Sequence, residues 1–549
     1  MREEIVNLVF PEPLPSVEEI IAKYPKRELP EGAKVTRVGP SPTGYFHVGN
    51  LSAALISERL AHQSGGVFFV RIEDTDQKRQ VEGAVDILLR SLRHFDIFND
   101  EGPVFEGGEK GAYGPYVQSQ RRHIYHAFIK DWLLKDLAYL CFCTEEENQK
   151  IHDMQSKGNI RPGYYGAFAK CRKLTEDEIL ENLKAGKKYV VRFKSPGHYT
   201  KKIVIEDVLR GRREFPENDL DIPIMKSDGL PTYHFAHLID DHLMGTTHVL
   251  RGEEWLSSLP LHIQLFTAMG WKPPKYGHIS HIQKMDGENR RKLSKRLDPE
   301  ANMTYYDEQG YPTVAVLEYL MNIANSNFED WRRQNPTTDY REFPFNMKKL
   351  NASGALFDFV KLNSISRDVI GRMSATEVYA LAKEWMDKYD VPFAKMMEAN
   401  KEYMISILSI EREGVKKVRK DMTIWKDMKE MVSFFFDNLF TQTTGEAYKA
   451  LSPMPVAEIT NILNDFKGIY DENDDKDVWF DKVKQVAAKN GYATDMKVYK
   501  ANPDEYKGSV ADVAKVLRIF VTGKEQSPDL HAVMQVMGKE RVMKRLNVE

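Results

Sequence analysis

The stretch Pro40-Ser41-Pro42-Thr43-Gly44-Tyr45-Phe46-His47-Val48-Gly49-Asn50 limits what this chain can fold into more than any other. Just before it, Val35 to Gly39 mixes β-formers with Thr36 and Arg37 and predicts the end of a buried strand. Just after it, Leu51, Ala54, Leu55 and Leu60 recur at helical spacing. A Pro- and Gly-rich loop between a strand and a helix lies where an α/β sheet binds its ligand. Pro40 and Pro42 fix the backbone, while Gly44 and Gly49 let a ligand come close to it. His47 ends the loop, where the next helix can turn its N-terminus to a phosphate. Taken alone, the loop reads equally well as a stiff surface turn with an incidental histidine.

A chain of 549 residues is too long for one core and implies about three to five domains. A net charge of −3 excludes a uniformly basic nucleic-acid coat, so a nucleic acid would have to meet local basic patches. Only three cysteines argue against a disulfide framework and for the cytoplasm. Met1-Arg2-Glu3-Glu4 has acids where a signal peptide is basic, and no run of 18 apolar residues offers a membrane span.

Residues 1–33 are a Pro-rich preface with one helical pattern near Val17 to Tyr24, an arm lying on the body with no assigned chemistry. Val67 to Ile72 predicts a central strand, and a helix follows from about Gln80 to Phe95. Between them, Glu73-Asp74-Thr75-Asp76 lies at the carboxyl end of the strand, in the ligand crevice. Glu73 there suits a substrate ammonium or a metal, while Asp74 or Thr75 suits a helix cap. Residues 111–225 read as an inserted module, helical from Gln120 to Leu137, with short strands at Tyr189–Phe193 and Ile203–Ile205. All three cysteines, Cys141, Cys143 and Cys171, cluster in it and hint at zinc. Their spacing is unusual and the fourth ligand is open among His152, Tyr164 and Tyr165, so buried structural thiols are the stronger reading.

The α/β pattern resumes at Pro231–Asp241 and Thr247–Trp255, so the insertion splits one sheet. Arg251 falls at a strand end, where a lone arginine usually makes a surface ion pair. Arg290-Arg291-Lys292-Leu293-Ser294-Lys295-Arg296 follows the Asp286-Gly287 turn and predicts a loop, either closing on a polyphosphate or simply solvated. From about Tyr311 the periodicity is helical, as in Val378-Leu381-Trp385 and Met404-Ile407-Leu408. Lys416 to Lys420 with Trp425 reads as an RNA-facing strip or, equally, a solvated helix face. Ala511 to Leu546 predicts two closing helices.

Two loops give these readings their direction. Pro-x-Pro-x-Gly-x-x-His-x-Gly at 40–49 and Lys292-Leu293-Ser294-Lys295 together are similar to the HIGH and KMSKS signatures of class I aminoacyl-tRNA synthetases. Arg37-x-x-Pro40, Arg71-Ile72-Glu73-Asp74-Thr75-Asp76, Thr232-Tyr233-His234 and Arg251-x-Glu253-Glu254-Trp255 resemble the glutamyl-tRNA synthetase family. Ser527-Pro528-Asp529-Leu530 and Gly538-Lys539-Glu540-Arg541-Val542 resemble the helical anticodon-binding end of its bacterial type. The likeness spans roughly residues 34–549. It departs at Asn50, which stands for a second histidine, at Arg296, which replaces a serine, and at His237, where an asparagine is common.

The resemblance implies an α/β Rossmann-type, HUP-like catalytic domain with an α+β insertion, then an all-α anticodon-binding half. Its implied bounds are 1–33 extension, 34–112 and 226–285 catalytic domain, and 113–225 acceptor-stem-binding insertion. A stem-contact domain with the Lys-Leu-Ser-Lys loop would span 286–355, and helical anticodon-binding parts 356–450 and 451–549. The implied reaction activates L-glutamate with ATP and Mg²⁺, in the presence of tRNA, and loads tRNA(Glu) as a cytoplasmic monomer. His47, Lys295 and Lys292 would stabilise phosphate charge, and Gly44, Gly49, Asn50 and Glu254 would join them around ATP. Arg37, Ser41, Glu73, Tyr233, His237 and Arg251 would hold glutamate. A glutaminyl enzyme, the nearest rival, lacks an arginine at the position of Arg251. A catalytically dead RNA-binding protein on this fold would not need His47, Lys295, Arg37 and Arg251 all intact.

Overall fold

The computed structural model describes residues 2–42, 46–105, 107–294, 296–351, 354–440 and 444–547. The chain divides into two compact units, residues 1–306 with 317–358, and residues 307–316 with 359–549.

The first unit is built on two parallel strand pairs. Val35–Val38 runs beside Val67–Val70, and His248–Gly252 beside Lys275–Ile279 with Arg251 opposite His278. The Thr247 N–H donates to the Val35 carbonyl at 2.9 Å, which sets the two pairs side by side. All four residues of Val35–Val38 are buried, as expected where helices cover both faces. The helix Val48–His62 supplies one cover through Leu51, Ala54, Leu55 and Leu60.

The strand expected to reach Ile72 stops at Val70, because Ile72 turns to pair with Val117. The helix expected from Gln80 begins at Ala84, since Gly83 takes a left-handed φ of 75° that no helix continues through. The preface holds two helices, Arg2–Val9 and Val17–Lys23, of which only the second was legible. Ile5, Val6 and Val9 pack into the cluster of Phe128, Trp132 and Phe235, so the arm is part of the core. It is pinned by Arg27, whose guanidinium grips both oxygens of Glu101 at 2.7 Å.

The insertion carries the helix Arg122–Leu134 and an antiparallel sheet of Ala138–Cys141, Val190–Phe193 and Pro223–Met225. Between the last two of these strands, Lys202–Asp207 and Gly211–Pro216 form a hairpin.

The second unit is helical around one core that includes Val378, Ala382, Met386, Met404, Ile407, Val516 and Leu517. Two expectations fail there. Residues 411–426 contain no helix, and Trp425 is buried in the core, so it cannot interleave with surface cations. The closing segment is three helices, Val510–Thr522, Leu530–Met537 and Lys539–Arg545, because Gly538 at φ 82° breaks the last pair.

Candidate active site

The carboxyl ends of both parallel pairs open into a cleft of about 720 Å³, the size of a small-molecule site. Arg37, Ser41, His47, Gly49, Asn50, Glu73, Tyr233, Arg251, Glu254 and Lys292 all line it. The two halves of the interrupted sheet therefore meet around one space. Gly44 and Lys295 lie outside the described residues.

His47 is the N-cap of Val48–His62, its Nδ1 accepting the N–H groups of Gly49 at 3.0 Å and Asn50 at 3.3 Å. A neutral imidazole that accepts at Nδ1 carries its proton on Nε2. The capping bonds thus fix both the ring and its tautomer. A Cβ at Gly49 would lie 2.8 Å from His47 Cε1, so the glycine first makes room for this ring. Gly39 does the same for Glu73, whose carboxylate a Cβ there would strike.

Glu73 is held from behind. Arg71, fully buried, gives Nη2 to Glu73 at 2.7 Å and Nη1 to Asp241 at 2.6 Å. Burial works against the charge on Arg71, but Asp241 and Glu73 more than offset it and keep the guanidinium firmly charged. Arg37 sits 3.6 Å from the same Asp241 and 3.3 Å from His237 Nδ1. His237 itself stands behind the wall, bonded to Asp241 and to the Tyr276 hydroxyl, each at 2.9 Å. Burial drives its pKa down to about 4, so it is neutral.

Arg251 differs from these arginines. Its side chain is buried, and among the described residues its partners are all neutral: His278, His262, the Tyr233 hydroxyl and the Trp255 carbonyl, at 3.0 to 3.4 Å. It is not the surface ion pair that a lone strand-end arginine suggests. Among the described residues no carboxylate pairs with it directly.

The basic run is not wholly loop. Asn289–Lys292 is a strand paired with Gln283–Asp286 across the expected Asp286-Gly287 turn. Neighbours on a strand point to opposite faces, so Lys292 lines the cleft while Arg291 turns away to Asp298, at 2.6 and 2.8 Å.

Some of the lining was not anticipated. Arg79 borders the cleft, as does Trp255, whose ring centroid lies 4.3 Å from that of Tyr233, while Thr75 and Asp76 line it as the crevice reading expects. His262 and His278 carried no signal, since a histidine inside an apolar helix or strand reads as core.

The cysteines gather away from the cleft. The three Sγ atoms lie within 4.8 Å of one another, and the Tyr164 hydroxyl is 3.4 Å from Cys141 and 3.3 Å from Cys143. Sulfurs around a tetrahedral zinc with 2.3 Å bonds stand about 3.8 Å apart, so the group fits that ion. Hydrogen bonds among the thiols lower the pKa of the Cys141 thiol, through Cys143 and then Cys171, and raise that of Cys143 in turn. His152 and Tyr165 are elsewhere: His152 is exposed, and Tyr165 bonds the Arg161 carbonyl.

Comparisons with known proteins now bear on the cleft. The family model "tRNA synthetases class I (E and Q), catalytic domain" matches residues 34–358, and "Anticodon binding domain" matches 377–548. A Glutamate--tRNA ligase of Clostridium perfringens (strain 13) is 49% identical over 544 residues, covering 99% of this chain and 100% of the relative. One from Sorangium cellulosum is 44% identical over 555 residues, covering 96% and 97%. The crystal structure of a glutamate tRNA ligase from Elizabethkingia meningosepticum, solved with its amino acid, is similar with a TM-score of 0.74. It is 28% identical and covers 93% of this chain and 98% of that one.

Proposed function

Because the chain belongs to the glutamate–tRNA ligases, among the class I tRNA synthetases for glutamate and glutamine, we propose that this cleft joins L-glutamate to ATP and hands it to tRNA(Glu). An oxygen of the glutamate α-carboxylate attacks the α-phosphorus, and pyrophosphate leaves with its electron pair. A hydroxyl of the terminal adenosine of tRNA then attacks the mixed anhydride, and AMP leaves. Neither step needs a covalent enzyme intermediate, so positioning and charge stabilisation carry the catalysis.

His47, with its proton on Nε2, donates to the phosphates as charge builds, while Lys292 and Lys295 neutralise the departing pyrophosphate. Gly44, Gly49, Asn50 and Glu254 complete the ATP side. Glu73 takes the substrate ammonium, Arg37 and Arg251 the two carboxylates, and Ser41 and Tyr233 finish the pocket, with His237 acting from behind through Arg37, 3.3 Å away. The observation that carries this reading is that Arg251 has only neutral partners among the described residues. A buried guanidinium with neutral partners is costly until an anion arrives, and glutamate brings that anion where glutamine brings an amide.

A Mg²⁺ ion would need oxygen donors, and the cleft offers Asp76, already paired with Arg79, and Glu254. Bound there with the triphosphate, it would offset phosphate charge.

The domain bounds implied by the sequence are adopted with this reading: a catalytic domain of 34–112 and 226–285 interrupted by an acceptor-stem module at 113–225. Residues 286–355 follow as stem contact, and 356–450 and 451–549 as anticodon binding. We take the working form to be a cytoplasmic monomer. Zinc on Cys141, Cys143, Cys171 and Tyr164 would be structural, stapling the insertion. Metal analysis of purified protein should give one zinc per chain, and Cys143→Ser should lose it; a metal-free chain of unchanged stability would exclude it.

Charging purified tRNA(Glu) and tRNA(Gln) side by side with radiolabelled glutamate tests the function. Glutamate should be attached to tRNA(Glu); no charging of either would contradict the reading.

A further inference from the structure

Arg251 is held by imidazoles where the neighbouring arginines are held by carboxylates, and those imidazoles are themselves set from behind. We propose that Asp207, His278 and His262 are positioning residues that aim the Arg251 fork at a side-chain carboxylate, with Asp207 supplied by the inserted module. This rests on the reading of Arg251 given above.

The hydrogen bonds leave one consistent pattern of protons. Arg251 Nε donates to His278 Nε2 at 3.0 Å and Nη1 to His262 Nδ1 at 3.1 Å. Arginine has no acceptor, so each imidazole must meet it with a bare nitrogen and carry its proton on the other. On His278 that proton is on Nδ1, given to Asp207 Oδ2 at 2.5 Å. On His262 it is on Nε2, 2.9 Å from Nδ1 of His234. Burial lowers the pKa of all three histidines, that of His234 to about 4, which keeps them neutral. Neutral acceptors fix the direction of Arg251 without using up its charge. A carboxylate in their place would do both.

Asp207 is itself fixed. It ends the strand Lys202–Asp207 of the inserted hairpin, is fully buried, and its Oδ1 accepts the N–H groups of Leu209 and Arg210, each at 2.9 Å. The turn is sewn to the catalytic strand, Val208 N–H to the Tyr276 carbonyl at 2.8 Å and Arg210 Nε to the His278 carbonyl at 3.0 Å. A hairpin from the module thus reaches the amino-acid reader in two hydrogen bonds. Another account of the pair is that Asp207 merely closes its own turn and His278 merely fills the core.

Asp207→Asn separates the two accounts. The Asn oxygen would stay with the two backbone N–H groups that Oδ1 now accepts, leaving its amide N–H₂ facing His278 Nδ1. The imidazole must then accept there and move its proton to Nε2, against Arg251 Nε–H. His278→Gln keeps an acceptor near Nε2, and His278→Ala removes it. Kinetics of the full chain with tRNA present should show KM for glutamate raised about tenfold to a hundredfold in Asp207→Asn and His278→Ala. KM for ATP should stay within about twofold, the preference for glutamate over glutamine should fall in step, and His278→Gln should recover part of the loss. The proposal is overturned if KM for glutamate stays unchanged in both variants, or if both KM values rise together. Arg251→Ala is the control: if it leaves KM for glutamate unchanged, the reading of Arg251 has failed; if only the relay variants are silent, the relay has failed.

Discussion

A buried arginine costs less when a carboxylate shares its site than when it stands alone, and the residues around Glu73 are paired in this way. Arg71 joins Glu73 and Asp241, and Arg121 gives Nε to Asp240 at 2.7 Å. Breaking one such pair leaves a bare buried charge and costs about 3–5 kcal/mol. Arg37 and Arg251 were legible only through the family motifs that contain them, since a lone arginine at a strand end reads as a surface ion pair. Arg71 was legible only as part of a motif, since one charge inside a β-run does not say what it is buried against. His62 makes a separable test of charge at this scale. Hydrogen bonds to Asp100 and then Glu58 raise its pKa from 6.5 to about 9. Because the folded value lies above the unfolded one, its stabilisation is complete below pH 6.5 and is lost as pH rises through about 9. His62→Gln should flatten the fall in unfolding free energy over that window, measured by denaturant titration. An unchanged slope would contradict the pairing.

Elements were read best where their ends carry punctuation. The Asp286-Gly287 turn was legible, with Gly287 at φ 61°. The strand Asn289–Lys292 after it was not, since four consecutive polar residues look like loop and only the ladder to Gln283–Asp286 makes them a strand. Arg2–Val9 was missed for a related reason, its short pattern being cut off by Pro11, Pro13 and Pro15. The basic hairpin yields a prediction of its own. Asp298, almost fully buried, receives Arg291 and the Ser294 N–H at 2.8 Å, and so anchors the chain just past Lys292. Asp298→Asn should raise KM for ATP about fivefold to thirtyfold, a loss of about 1–2 kcal/mol, with KM for glutamate little changed. An equal rise in both would show a general loss of the cleft instead.

At the scale of the whole molecule, the cleft depends on residues from Arg37 to Ala301 that an insertion drives far apart along the chain. No spacing rule predicts their meeting. The resemblance of the two signature loops did, and the motifs at 527–530 and 538–542 named the helical half, for which a net charge of −3 gave no hint of RNA. The acceptors that aim Arg251 were beyond either route, because His262 and His278 look apolar in context and matter only through their partners. The most direct measurement is pyrophosphate exchange with ATP in the presence of tRNA, run with glutamate and with glutamine, on the native chain and on Arg251→Ala. The native chain should exchange with glutamate and not glutamine. Arg251→Ala should stay folded and lose about 2–5 kcal/mol, some 30-fold to several-thousand-fold, of its glutamate activity. Exchange driven by glutamine alone, or an Arg251→Ala variant as active on glutamate as the native chain, would contradict it.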